Sequence, residues 1–287
     1  MVIATDENGP LACKCSKRPV GDDLVMRSEA SLLEGLDHPN IMRMLRCGEH
    51  QRYFCIVLEY LPQNLEQLLF ESAEALDVPA LLRMMLAGLA YLHRRRILHR
   101  VRHACRDPAR RSPLTPHPGP ADQDIKPGNL LLAEDGTLKI GDFGLARECP
   151  PEEDLSPHTV TLWYRAPELL LGAKRYTAAV DVWSAGCVYV EMFLRMPLFP
   201  GVSDVDQLGK IFHALGTPTD ETWPGHRELP CFVEWTPNQA TPWEVILAAH
   251  PGADLPLLRR TVTLNPADRW TAEECVQHLA PAAGALV

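Results

Sequence analysis

Three segments of this sequence place charged and amide side chains where they could act on one another. Asp124-Ile-Lys126-Pro-Gly-Asn129 brings a carboxylate, an ammonium and a carboxamide into one short loop, and Leu138-Lys-Ile-Gly-Asp142-Phe143-Gly144 adds a second carboxylate. Ala166-Pro167-Glu168 follows downstream. An aspartate can accept or orient the proton of an attacking hydroxyl. An asparagine and a second aspartate are oxygen donors suited to Mg²⁺, and a lysine offsets charge on a transferred phosphoryl group. A single Asp-Phe-Gly would be an ordinary turn, but these motifs in this order point to metal-assisted phosphoryl transfer.

Elements must hold those loops in place. Leu11-Ala12-Cys13-Lys14 and Tyr53 to Tyr60 read as strands, with an amphipathic helix around Leu24 to Leu36 between them. That is a small α/β lobe. From Pro79 the period changes, and Leu82, Leu86, Leu89 and His93 fall on one helical face. Ala178 to Phe193 is apolar almost all round except at Asp181 and Glu191, which reads as the buried central helix of a larger lobe. His93 reads as a packed histidine rather than a base.

Composition excludes several classes. The chain has 287 residues, with 28 Lys+Arg against 37 Asp+Glu and a formal charge of −9, so direct nucleic-acid binding is not expected. No apolar run reaches the roughly 18 residues of a membrane span, and Met1 to Gly9 does not read as a secretory leader. Nine cysteines, an odd count without a C-x-x-C pair, signal neither a disulfide framework nor a zinc site. A reducing compartment, nucleus or cytoplasm, is expected.

The motifs identify the family. In order and spacing they resemble eukaryotic Ser/Thr protein kinases, and Thr161-Leu-Trp-Tyr-Arg165-Ala-Pro-Glu168, Pro197 to Gln207 and Leu215-Gly-Thr-Pro-Thr219 resemble the cyclin-dependent kinase group. The wording of these segments leans to the kinases that activate other cyclin-dependent kinases or phosphorylate the RNA polymerase II tail. The resemblance implies an α+β, bilobal protein-kinase fold, with a small, truncated, mostly β lobe with one helix over 1–61 and a larger, mainly helical lobe over 62–287. It also implies ATP and Mg²⁺ as cofactors, with Asp124 as base, Lys126 on the phosphoryl group, and Asn129 and Asp142 as metal ligands. Lys14 and Glu29 would form the phosphate anchor, and Glu59 and Leu61 the adenine-binding hinge behind which Leu58 stands. Ser156 would be the activation-segment phosphosite, with Thr159 competing, and Arg100 and Arg147 its clamp. Thr161 and Arg165 would shape a pocket for the proline after the target Ser/Thr. Asp181 would hold the catalytic loop, and Arg269 would pair with Glu168. The implied partners are a cyclin-type regulatory subunit and protein substrates with Ser/Thr-Pro sites, with no membrane. The alternative is a catalytically impaired kinase-fold scaffold for a cyclin-type partner.

Three departures from the family pattern stand out. The glycine-rich strand-turn-strand does not precede Lys14. Arg27-Ser28-Glu29 stands where relatives carry Arg directly before Glu. The third lies in the catalytic loop, where His99-Arg100 is parted from Asp124 by residues 101–123, a stretch with five prolines and four arginines. Closing such a loop costs only about 3 kcal/mol, so the fold can carry it, but Arg100 and Asp124 are no longer bonded. Deleting 101–123 restores His99-Arg100-Asp124, and the reading adopted is intron sequence translated in frame rather than a tolerated surface loop.

Overall fold

The main helices form where apolar residues recur every three or four positions, and the strands of the central pair where β-forming residues cluster. The computed structural model describes residues 2–7, 9–16, 24–71, 76–98, 125–143, 147–148 and 162–280. The small lobe contains β1 (Val2–Asp6), β2 (Gly9–Cys15), α1 (Leu24–Glu34), β3 (Met44–His50) and β4 (Tyr53–Glu59). Its sheet is antiparallel in the order β1-β2-β4-β3. In the central pair Ala12 faces Leu58 and Lys14 faces Ile56, so these four residues share one side of the sheet. Helix α1 covers that side with the buried Ala30 and Leu33, and its Arg27 guanidinium lies 4.5 Å over the Phe54 ring.

The opposite side of the same pair corrects a sequence expectation. Cys15 stands opposite Cys55 with 4.1 Å between Cα atoms, and the two sulfurs form a disulfide. Counting and spacing cysteines along the chain could not find it, because the pair is made by strand register across 40 residues of sequence.

The larger lobe starts with β5 (Gln63–Asn64), α2 (Leu65–Glu71) and α3 (Val78–Arg94), then β6 (Ile97–Leu98), β7 (Leu130–Leu132), β8 (Leu138–Ile140) and β9 (Arg147–Glu148). It continues with α4 (Pro167–Leu170), α5 (Ala179–Leu194), α6 (Asp204–Leu215), α7 (Trp243–Ile246), α8 (Leu255–Thr261) and α9 (Ala272–His278). Strands β5, β7 and β8 form one small sheet, and β6 pairs with β9. Helix α3 begins one residue before Pro79 because the Asp77 carboxylate caps it, accepting from the Ala80 amide at 3.1 Å. Its face of Leu82, Met85, Leu86 and Leu89 is fully buried, and it packs against α5 and α9. Helix α5 is buried at every position from Val180 to Met192, as its sequence predicts.

The lobes are stitched by backbone. Met42 N–H donates to the Ile140 carbonyl at 2.9 Å, and Ile140 N–H donates to the Asn40 carbonyl at 2.9 Å, so the entry to β3 runs beside β8. Two buried carboxylates of the large lobe face basic side chains. Arg269 binds Glu168 through both nitrogens at 2.6 and 2.8 Å, as expected, and His93 Nε2–H donates to Asp181 at 2.9 Å. Among the described residues no helix is long and apolar enough to cross a membrane, and no cluster of three His, Cys, Asp or Glu side chains is arranged to hold a metal.

Candidate active site

A cleft of about 470 Å³ opens between the lobes, and Lys14, Glu29, Leu58, Glu59, Asn129 and Asp142 line it. They arrive on β2, α1, β4 and two loops of the large lobe. Period-two alternation turns Lys14 of β2 inward, and one helical turn of α1 brings Glu29 to meet it. The Lys14 ammonium donates to both Glu29 oxygens at 2.8 Å and to Asp142 Oδ1 at 3.0 Å. Glu29 is only 2% exposed, and it also accepts from the Phe143 backbone amide.

Electrostatics follow from that geometry. Burial by itself would lower the Lys14 pKa, but the charges of Asp142 and Glu29 and their hydrogen bonds outweigh it and hold the ammonium above the ordinary lysine range. For Glu29, burial raises the carboxyl pKa and Lys14 offsets only part of the rise. The site therefore carries a permanently charged lysine bound to one deep carboxylate and one half-buried carboxylate at the cleft wall.

Backbone geometry aims Asp142. Its φ of 54° is left-handed, a region that aspartate tolerates better than most residues. The preceding residue has no room for a side chain, because a Cβ at Gly141 would lie 2.8 Å from Leu131 Cδ1. The Gly141 amide donates to the Asn129 carbonyl at 2.9 Å, which ties the Asp142 loop to the Asn129 loop. Phe143 then plugs into the core with no exposed surface. Asn129 and Asp142, the two oxygen donors predicted from sequence, thus reach the same cleft as Lys14.

Glu59 and Leu61 line the cleft, but the Glu59 carboxylate is already engaged, accepting from Lys139 Nζ at 2.7 and 2.9 Å and from the Arg43 amide at 2.7 Å. Lys126 is half-buried and leads into the turn that carries Asn129. Arg165 is buried and donates to Asp204 at the start of α6 at 3.0 Å. Asp124, Arg100, Ser156, Thr159, Thr161 and residues 101–123 lie outside the described residues, as does the Arg147 side chain.

Sequence reasoning did not find the supports of the segment around Arg165. Gln207, fully buried, accepts from the Gly201 amide at 2.9 Å and donates to the Trp163 carbonyl at 3.3 Å. The Tyr164 hydroxyl donates to Glu191 at 2.7 Å inside the core. Burial pushes the Glu191 pKa up to about 7, the Tyr164 hydrogen bond lowers it, and the nearby Glu66 adds to the rise. A carboxylate interrupting the apolar stretch of α5 was the available signal for Glu191.

A two-lobed body with a lysine–glutamate pair facing an aspartate across the cleft defines a class. The chain belongs to the protein kinase family: the protein kinase domain model matches residues 1–100 and 121–279, passing over 101–120. Among curated proteins it is similar to cyclin-dependent kinase 7 of Xenopus laevis, 37% identical over 271 residues that cover 92% of this chain and 70% of that protein. It is 38% identical to the serine/threonine-protein kinase KIN28 of Saccharomyces cerevisiae, over 92% of this chain and 81% of KIN28. Cyclin-dependent kinase 7 of Dictyostelium discoideum is 35% identical over 87% of this chain, which spans 64% of that relative's length. Among solved structures it resembles the yeast RNA polymerase II CTD kinase CTDK-1 complex, with a TM-score of 0.81 and 29% identity over 96% of this chain and 87% of that one. These relatives bear out the resemblance to the serine/threonine kinases of the cyclin-dependent group.

Proposed function

We propose that this chain transfers the γ-phosphoryl group of ATP to serine and threonine hydroxyls of protein substrates, with Mg²⁺, in transcription or cell-cycle control. The observation that carries this reading is the Lys14 ammonium held by Glu29 and Asp142 in the interlobe cleft beside Asn129. The donor set fits the cofactor. Asn129 and Asp142 are hard oxygen ligands of the kind Mg²⁺ takes, and Lys14 is a fixed positive charge for phosphate oxygens. When bound, Mg²⁺·ATP supplies the transferable phosphoryl group and neutralises its charge.

The chain's own groups do the rest. Glu29 keeps Lys14 extended from β2 into the cleft, and the left-handed backbone at Asp142 turns its carboxylate toward the same space. Because the Glu59 side chain is engaged by Lys139, Glu59 and Leu61 serve adenine through backbone groups while Leu58 closes the rear. Asp124 orients the substrate hydroxyl and accepts its proton, and Lys126 offsets charge on the phosphoryl group. Arg165, fixed by Asp204, shapes with Thr161 the pocket for a following proline.

The wider assembly belongs to the same reading. The small lobe comprises residues 1–61 and the large lobe 62–287, and a cyclin-type subunit docks on α1. Ser156 is the activating phosphosite, and Arg100 and Arg147 clamp its phosphate. The protein works in the nucleus or cytoplasm, without direct contact with nucleic acid or membrane. The test is transfer of labelled phosphate to a Ser-Pro peptide by the chain with a cyclin-type partner. Asp124→Asn should lose more than about 10²-fold, and a Ser-Ala peptide should be a poor substrate. No transfer by the assembled complex, or equal transfer by Asp124→Asn, would remove the reading.

A further inference from the structure

The Cys15–Cys55 pair sits back to back with the phosphate anchor. Odd and even residues of β2 face opposite sides of the sheet, so Lys14 turns into the cleft while Cys15, its covalent neighbour, turns outward. The ladder explains why the thiols meet. Ser16 N–H donates to the Phe54 carbonyl at 2.8 Å, which makes the adjacent Cys15–Cys55 pair a non-hydrogen-bonded one, where opposing side chains stand closest. Accessibility is asymmetric, since Cys15 is exposed and Cys55 is 8% exposed behind it. A third thiol, Cys13, lies two residues along β2 on the same side, unpaired and half-buried.

An exposed cysteine bonded to a buried one, in a chain whose cysteine count and spacing signal no disulfide framework, is the arrangement of a reversible oxidation site. We propose that Cys15 and Cys55 form a redox-modification site that takes a peroxide-class oxidant and clips β2 to β4 one residue from Lys14. The Cys15 thiolate attacks one peroxide oxygen, and that thiol and the peroxide become a sulfenic acid and one water. The Cys55 thiol then displaces the sulfenic oxygen as a second water, and the S–S bond forms. Two electrons and two protons leave the thiols, and hydrogen peroxide is reduced to two waters. A dithiol reductant reverses the step by exchange, entering at the exposed Cys15 sulfur.

The clip matters because of what β2 carries. With β2 fastened to β4, Lys14 has less freedom to leave Glu29 and Asp142, so the anchor is preorganised; with the thiols free, the ladder, the Phe54 amide's bond to Ser16 Oγ and the packing of Ala12 on Leu58 hold that register without a covalent tie. Oxidation is therefore the tightening modification and reduction the loosening one.

The experiment uses the full chain and two independent readouts. The first maps thiols by N-ethylmaleimide labelling and peptide mass analysis after hydrogen peroxide and again after dithiothreitol. The expected result is a Cys15–Cys55 linked peptide that appears with peroxide and disappears with dithiol, in wild type and in Cys13→Ser, together with a melting temperature about 5 °C lower on reduction. That drop should be absent from Cys15→Ser. The second readout is Mg²⁺·ATP affinity, expected to weaken about threefold on reduction. This second part rests on the kinase reading, whereas thiol mapping and melting do not, so failure of one is distinguishable from failure of the other. Free Cys15 and Cys55 after peroxide, a dominant Cys13–Cys55 link, or a link that dithiol does not open would each overturn the proposal. Wild type needs no substitution for this, so a variant that fails to fold does not protect the idea.

Discussion

Arg269 and Glu168 lie 101 residues apart in the chain and meet as a two-pronged ion pair, with Nη1 and Nη2 at 2.6 and 2.8 Å from the two carboxylate oxygens. The guanidinium also lies 4.9 Å over the Trp183 ring and donates to the Ala179, Thr263 and Leu264 carbonyls. One side chain therefore fastens the Ala166-Pro167-Glu168 segment, the start of α5 and the loop before α9.

Removing one partner leaves a buried charge uncompensated, which costs about 3–5 kcal/mol. Arg269→Leu should lower the melting temperature by roughly 10 °C, and Arg269→Leu combined with Glu168→Gln should recover part of that loss. Thermal denaturation of the single and double variants checks it. An additive double variant would show that the charge imbalance is not the cause.

Lys14→Met removes the ammonium between two carboxylates while keeping the chain length. Mg²⁺·ATP affinity should fall at least about tenfold, measured by calorimetry. Because Lys14 titrates above the ordinary lysine value, its contribution is complete at neutral pH and is lost only as pH rises through that raised folded-state value. Binding that weakens between pH 6 and 9 must therefore come from another group.

Glu191 gives the pH dependence. Its carboxyl titrates near 4.5 when unfolded and is pushed up to about 7 when folded, so the folded state holds the extra proton between those values. Stability from this group is present at low pH and falls as pH rises from about 4.5 to 7, by roughly 3 kcal/mol. Glu191→Gln, which keeps an acceptor for the Tyr164 hydroxyl, should flatten that part of the stability–pH curve and raise the relative melting temperature at pH 8. An unchanged slope across pH 4.5–7 in the variant would show that Glu191 does not hold the proton.

Deleting residues 101–123 rejoins His99-Arg100 to Asp124. The deleted form should turn over faster by about 10²-fold or more, the cost expected when a base is displaced by about 1 Å. Matched assays of the two forms with the same partner check this, and equal turnover would show that the split loop leaves the base in place. Mature messages that all retain those codons would refute the intron reading.

The residues that spoke most clearly in the sequence were those with a strong local period or a local motif. Leu82, Leu86 and Leu89 announced α3, the apolar run from Ala178 announced α5, and Asn129 and Asp142 came as parts of short motifs that the fold brings to one cleft. Strand β3 was not separately legible, because nearly all of Met44–His50 is exposed and carries no alternation. The disulfide, the Lys139–Glu59 bridge and the Gln207 tie to Trp163 join residues 40, 80 and 44 positions apart, and no spacing rule along one chain encodes them. The Lys14–Glu29 pair, 15 residues apart, came from the resemblance to protein kinases and not from any spacing rule.

Helix α5 has no side that faces water, since every residue from Val180 to Met192 is buried. Such a helix has no amphipathic stripe to support it before its neighbours arrive, and alone it would expose apolar surface all round. The large lobe therefore cannot assemble by adding finished helices to one another: α5 becomes stable only as α3 and α8 close around it. Its amides should exchange with solvent deuterium only through global opening of that lobe, which makes them the slowest-exchanging hydrogens of the molecule.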